Sequence, residues 1–243
     1  MENIKKIALN GVEVYPFSSF GQIIDFIDAK KGILVAINAE KILHATPATR
    51  ALINRNIGYC DGMGAMKALR QHGCADAVKL PGCELWLNIV ERFHKEKSFY
   101  LLGSKQEVVE ATVRKLKKDY PGVQVAGYHD GYLTTSSMRQ QVIDEIVALK
   151  PDVVFVAMGS PKQELLMEEL QKRHPAIYQG LGGSFDVYTG HVQRAPRWWV
   201  DHNLEFAYRL IKEPKRLRRQ VHLVKFEWWL LTGKFKGNAD EPF

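Results

Sequence analysis

The chain reads as an α/β protein: a Rossmann-like, mainly parallel sheet with helices on both faces, plus a C-terminal basic amphipathic helical appendage. Three observations predict this. Short, almost wholly apolar runs recur at Ile33–Ile37, Ile57–Cys60, Phe99–Leu102, Val123–Gly127, Val153–Met158 and Ile177–Leu181. Segments of helical periodicity separate most of them, among them Lys105–Tyr120, Ser136–Lys150 and Pro161–Arg173. Unbroken apolar strands alternating with amphipathic helices are the pattern of a parallel sheet buried on both sides. The third observation is a concentration of positive charge near the C-terminus.

Taken in order, Ile7-Ala-Leu-Asn-Gly-Val-Glu-Val-Tyr15 places an Asn-Gly pair between β-prone runs, the signal of a hairpin. Between Ser18 and Lys31, Phe20, Ile23, Ile24 and Ile27 share one helical face, and Gly32 supplies a stop. The strand–helix alternation follows, without internal repeats or low-complexity linkers. Composition shifts near Glu213-Pro214, so we divide the chain into a body at 1–208 and a tail at 209–243. From Arg209 to Lys236 nine Lys/Arg face two acids, a net +7 that equals the formal charge of the whole chain. Leu210, Leu217, Val221, Val224 and Trp228 fall on a helical spacing among these cations, with Phe226, Trp229 and Leu230 beside them. Such a helix suits an anionic membrane surface. The same stripe would serve equally for packing on the body, and the two uses are compatible.

The 243 residues suit one large domain, or one domain with an appendage. No stretch reaches the roughly 18 apolar residues of a spanning helix. Met1-Glu-Asn-Ile-Lys-Lys6 leads into no secretory apolar segment, and Cys60, Cys74 and Cys83 lack CxxC spacing. A cytoplasmic protein with reduced thiols, peripheral on the inner face of the membrane, is therefore expected. The pI of about 9.2 also raises nucleic acid as a partner. The aliphatic and Trp residues among the cations favour lipid headgroups instead, so no nucleic acid is expected.

In open α/β sheets ligands gather at the carboxyl ends of the strands. Here those ends are followed by Asn38, by Asp61-Gly-Met-Gly, by Tyr128-His-Asp-Gly131, by Gly159-Ser-Pro-Lys-Gln-Glu164 and by Gly182-Gly-Ser-Phe-Asp186. Gly159, Ser160, Lys162 and Gln163 open a helix, where free N–H groups suit a phosphate; Ser160 is placed to cap and Pro161 to start it. Gly182 and Gly183 admit close backbone approach, in a turn with Asp186 that is neither a dinucleotide fingerprint nor a P-loop. Asp61 is placed to take a proton from a substrate hydroxyl, or simply to cap the next helix. Asn38 divides between turn residue and ligand-orienting amide. His129-Asp130 reads as a turn or a binding loop. The histidines show no metal-ligand spacing and no DxD pair occurs, so neither metal nor cofactor is expected. Arg194-Ala-Pro-Arg-Trp-Trp199 adds cations for phosphate oxygens and aromatics for a sugar or an interface. A dinucleotide-dependent oxidoreductase would need an early GxGxxG, which is absent. A nucleic-acid-binding module would leave the polar strand ends unexplained.

Seven stretches carry a resemblance: Leu34-Val-Ala-Ile-Asn-Ala-Glu-Lys41, Tyr59-Cys-Asp-Gly-Met-Gly64, Pro81-Gly-Cys-Glu-Leu85, Gly127-Tyr-His-Asp-Gly-Tyr132, Met158-Gly-Ser-Pro-Lys-Gln-Glu164, Gly182-Gly-Ser-Phe-Asp186 and Gly190-His-Val-Gln-Arg-Ala-Pro196. In this order they resemble the WecG/TagA/CpsF glycosyltransferases (family 26) over roughly residues 7 to 235, closest to members that use UDP-N-acetyl-D-mannosaminuronic acid. The resemblance implies inverting, metal-independent transfer from a UDP-sugar to the 4-hydroxyl of GlcNAc on undecaprenyl diphosphate, in enterobacterial common antigen or related surface-polysaccharide synthesis. Other UDP-hexosyl donors, glucose included, occur in the wider family, and self-association into a homo-oligomer is left open. The family's base falls on Asp61, its neighbouring Asn on Asn38 and its motif Gln on Gln163. Lys79 stands where the family has an Arg, which keeps the charge without the bidentate fork. Related members use a tail Arg near the diphosphate; Arg209, Arg216, Arg218 and Arg219 are equivalent candidates, with Arg216 taken as their representative. Arg194, Arg197 and Lys79 are the cations available to a uronic carboxylate.

Overall fold

In a computed structural model of the chain, the described residues are 4–193, 195, 196, 198, 199, 208 and 217–235. The hairpin is present: β1 (Ile7–Leu9) pairs antiparallel with β2 (Val12–Val14), Ile7 opposite Val14. Its turn residues Asn10 and Gly11 both take positive φ, 53° and 79°, as a type I′ turn demands. Helix α1 (Phe20–Lys30) starts on the Ser19 hydroxyl, which accepts from the Gln22 amide. It ends as Lys31 turns to positive φ and Gly32 opens the next strand.

The main sheet is built from β3 (Gly32–Ile37), β4 (Ile57–Cys60), β5 (Ser98–Gly103), β6 (Gln124–His129), β7 (Val153–Ala157) and β8 (Ile177–Gly180), all parallel in the order β4-β3-β8-β7-β5-β6. Side chains alternate between two cores. Ile33, Val35, Ile37, Tyr100, Leu102, Val154, Val156 and Tyr178 enter one. Leu34, Phe99, Leu101, Val153, Phe155 and Ile177 enter the other. The first is covered by α2 (Ala39–His44), α3 (Pro47–Arg55), α4 (Met63–Gln71), α7 (Ser136–Leu149), α8 (Lys162–Arg173) and the hairpin. The second is covered by α1, α5 (Gly82–Phe93), α6 (Gln106–Asp119) and α9 (Ser184–Tyr188). Two buried faces account for the lack of polar alternation in the strands.

Helix α10 (Leu217–Leu231) lies on α2 and α4. Phe226, Leu230 and Phe235 are buried in the first core. The helix stops in a Schellman arrangement: Gly233 at φ 71° donates to the Leu230 carbonyl and Lys234 to that of Trp229. The chain then folds back to place Phe235 5.2 Å from the Phe226 ring. Among the described residues no helix is long and apolar enough to cross a membrane.

Candidate active site

The strand order sets the position of the crevice. The chain leaves β5 for β6 on one side and β7 for β8 on the other, so the connections from these two paired strands run in opposite directions. Their following helices, α6 and α8, cover opposite faces. This is the topological switch point at which open sheets bind ligands. A cleft of about 760 Å³ opens there, lined by Ser104, Gly131, Tyr132, Met158, Lys162 and Leu165 among others. The Ser104 hydroxyl donates to Asp186 at 2.9 Å, which brings the start of α9 to the same rim. In the loop after β6, the Asp130 carboxylate accepts from the Tyr132 amide at 2.6 Å, an Asx turn that presents Tyr132. That is the turn role expected of His129-Asp130.

At the far side of the same edge stands Asp61. It does not cap α4, whose N-cap is Gly62 with no side-chain bond. Its Oδ1 accepts instead from the Gly82 amide at 2.6 Å, the first residue of α5. Helix α5 thus aims its free N–H end at this carboxylate. Gly82 in turn offers its carbonyl to Gln179 Nε2 at 3.2 Å, and the same nitrogen lies 3.4 Å from the Tyr59 hydroxyl. Burial pushes the Tyr59 phenol well above its ordinary range, and the Asp61 charge adds to the shift. The Cys60 thiol rises to about 12 for the same two reasons in the same order, opposed by its contact with the Gly62 backbone and then by Arg70 and Lys79. Lys79 therefore lies within electrostatic reach of the end of β4. Asn38 caps α2: its Oδ1 accepts from the Lys41 amide at 2.9 Å.

Gln163 ties two strand-end loops together. Buried, it accepts through Oε1 from the amides of Gly159 at 3.1 Å and Gly182 at 3.0 Å. Its amide lies over Gly180, where an added Cβ would come within 2.4 Å of Nε2. The next residue, Glu164, is a buried carboxylate paired with Lys41 at 3.0 Å, and its Oε2 has no partner among the described residues. Ser160 forms no cap: α8 begins at Lys162 with Pro161 as N-cap and no side-chain bond, and the Gln163 amide that a Ser160 cap would use donates to the Gly159 carbonyl at 3.0 Å. Ser160 and Lys162 are exposed at this start. Gly159, Gly182 and Gly183 have open space where a side chain would project.

The structure brings Asn38, Asp61, Lys79, Gly159, Ser160, Lys162, Gln163, Gly182, Gly183 and Asp186 to one sheet edge. Arg194, Arg197, Arg209 and Arg216 lie outside the described residues, and of Arg218 and Arg219 only the helical backbone is described. Sequence reading missed Gly82, Tyr59, Gln179 and Glu164. The available signal was an amide in the otherwise apolar run Ile177-Tyr-Gln-Gly180 and a carboxylate in the apolar stripe of α8. The tail meets this edge too. An added Cβ at Gly64 would lie 3.0 Å from both the Phe226 ring and Ala39, so α10 seats on the first turns of α2 and α4.

A switch-point cleft, glycine-lined turns and a helix-held carboxylate share one edge of the parallel sheet, an arrangement that suits a nucleotide-dependent transferase. The chain belongs to the glycosyl transferase WecG/TagA/CpsF family, whose sequence profile matches residues 7–240. It is a glycosyltransferase, and membership implies a nucleotide-sugar donor and a glycan acceptor.

Proposed function

We propose that this transferase moves N-acetylmannosaminuronic acid, or the related N-acetylmannosamine, from UDP to the 4-hydroxyl of GlcNAc on undecaprenyl diphosphate. The product belongs to enterobacterial common antigen or a related surface polysaccharide, and transfer occurs with inversion and without metal. One observation carries this reading: the Asp61 carboxylate is gripped by α5 on the same edge as the switch-point cleft. From β7 to β4 the edge spans three strand spacings, about 14 Å. An extended nucleotide diphospho-sugar bridges that distance. Its nucleoside occupies the cleft beside Ser104, Tyr132 and Asp186. Its diphosphate lies over the open Gly182-Gly183 turn and the start of α8, near Lys162. The sugar then reaches Asp61, which takes the proton of the acceptor hydroxyl as that oxygen attacks the anomeric carbon opposite the departing UDP. Lys79 and the cations near residue 194 are available to a uronic carboxylate.

General-base assistance contributes about 10²–10⁴ in rate. Asp61→Asn should therefore cut UDP release with a GlcNAc-diphospholipid acceptor at least about a hundredfold, with UDP still raising the melting temperature. Near-normal turnover would remove Asp61 from the chemistry, and a UDP-sugar panel in the same assay names the donor.

The outer side of α10 supports attachment to the cytoplasmic face of an anionic membrane. Val224, Trp228 and Leu231 are 72%, 64% and 82% exposed and recur at helical spacing, beside the exposed Lys225. Replacing all three with Ser should abolish co-sedimentation with phosphatidylglycerol vesicles while leaving the fold intact. Retained sedimentation of that variant would sink the membrane reading.

A further inference from the structure

We infer that Gln179 is a positioning residue for Asp61, acting through the Gly82 peptide; this rests on the reading of Asp61 as the base. Gln179 sits in the middle of the sheet, on β8 between β3 and β7, and is fully buried. Packing does not explain an amide at that place. Met or Leu would fill the space, whereas the buried Gln179 Oε1 has no hydrogen-bond partner among the described residues. A buried polar group left unpaired is costly, so the side chain is retained for what its other half does.

That half is Nε2, which donates to the Gly82 carbonyl at 3.2 Å and approaches the Tyr59 oxygen at 3.4 Å. The amide of the same glycine holds Asp61 Oδ1 at 2.6 Å. Gln179 therefore fixes one end of the residue whose other end fixes the carboxylate. Tyr59 sets how close α5 comes. An added Cβ at Gly82 would meet the Tyr59 oxygen at 2.8 Å, with its next neighbours no nearer than Asp61 Oδ1 at 3.5 Å and Gln179 Nε2 at 3.9 Å. Glycine at 82 is thus required by one hydroxyl. Cys83 and, more weakly, Glu164 also push the Tyr59 phenol up, each less than Asp61, while the Gln179 hydrogen bond opposes them.

The experiment uses the full chain, a GlcNAc-diphospholipid acceptor and a UDP-sugar panel, with UDP release as readout. A misplacement of about 1 Å at a reacting group costs on the order of a hundredfold. Gln179→Met should lower kcat by roughly ten- to a hundredfold with the donor KM unchanged. In an Asp61→Asn background the same substitution should lower kcat no further. Gly82→Ala should lose comparable turnover, and adding Tyr59→Phe, which deletes the clashing oxygen, should restore most of it. The inference is overturned if Gln179→Met costs the same factor with and without Asp61, or if Tyr59→Phe fails to rescue Gly82→Ala. Full turnover in Asp61→Asn alone would instead overturn the base assignment and, with it, any role exerted through Asp61. A general loss of folding would show as a fall in melting temperature shared by Gln179→Met and the rescued pair.

Discussion

Removal of the Phe226 ring should release α10 from the body. Phe226, Leu230 and Phe235 are each at least 95% buried and form the hydrophobic anchor of the helix. Burying side chains of this size contributes ~1.5–3 kcal/mol each, so the three together give about 5–9 kcal/mol before the entropy of ordering the helix is subtracted. Phe→Ala at a packed site costs about 3–5 kcal/mol. Here little can collapse into the space, because Gly64 and Ala39 opposite the ring belong to helix starts fixed by the sheet. Phe226→Ala therefore removes about half the anchor. Since 1.4 kcal/mol is a factor of ten, amide exchange at residues 223–231 should accelerate by about two to three and a half orders of magnitude. The exposed ion pair Lys67–Glu227, 2.9 Å long, is the contrast. Such pairs are worth ~0–1 kcal/mol, and Lys67→Ala should change exchange by no more than about fivefold. Native-state hydrogen exchange read by mass spectrometry measures both, with β7 amides as the internal reference. Unchanged protection of α10 in Phe226→Ala, or equal effects of the two substitutions, would refute this account of the anchor.

Two further outcomes follow from the strand-end contacts. Gln163→Ala unmakes the bonds from Gly159 and Gly182 and should destabilise the protein by about 2 kcal/mol, a fall of at least ~4 °C in Tm; an unchanged Tm would show that the loops hold without it. Cys60, raised from 9.0 to about 12 by burial and then by Asp61, should resist alkylation at pH 8 until the chain is unfolded. The sign follows from the direction of the shift: below pH 9 both states keep the proton, and above it only the folded state does. Stability is therefore lost as pH rises from about 9 toward 12, at about 1.4 kcal/mol per unit. Cys60→Ala should reduce that loss around pH 9, where unfolded tyrosines, with an ordinary pKa of about 10, remain mostly protonated, and identical slopes there would remove Cys60 as its cause.

Most strands were legible because they are apolar runs buried on both faces, β6 at the sheet edge being the half-exposed exception, and the hairpin because Asn10-Gly11 meets a backbone demand few other pairs meet. Strand order was not legible. It is set by packing between segments far apart in the chain, and it alone places the crevice between β5 and β7. The same distance hid the roles of particular side chains. Gln179 reaches Gly82 across 97 residues and Lys41 reaches Glu164 across 123. Asp61 shows the limit most clearly. Its sequence context fits a helix cap as well as a base, and the fold removes the cap: Gly62 takes that place while Asp61 accepts from the Gly82 amide. Ser160 shows the converse: the cap its position promised is absent, and the Gln163 amide it would have used donates to the Gly159 carbonyl.

The tail's charge suggests a membrane-seeking element, and its apolar residues divide between a buried and an exposed set. Phe226 and Leu230 are spent on the body, and Val224, Trp228 and Leu231 remain outside. The inner set does not dock at an arbitrary place. It meets Ala39 and Gly64, one residue beyond Asn38 and three beyond Asp61. A helix with its side chains is about 10 Å across. A surface held against the outer ridge therefore lies roughly one helix diameter from the turns that carry the candidate base. That spacing gives docking a purpose that membrane attachment alone does not. A flexible tether would bring the protein to a lipid-linked acceptor and leave its orientation free. A helix packed on the first turns of α2 and α4 couples the two, so loosening Phe226 should impair turnover on a vesicle-borne acceptor far more than on a short-chain soluble one. Equal losses on both acceptors would mean that α10 serves only to stabilise the fold.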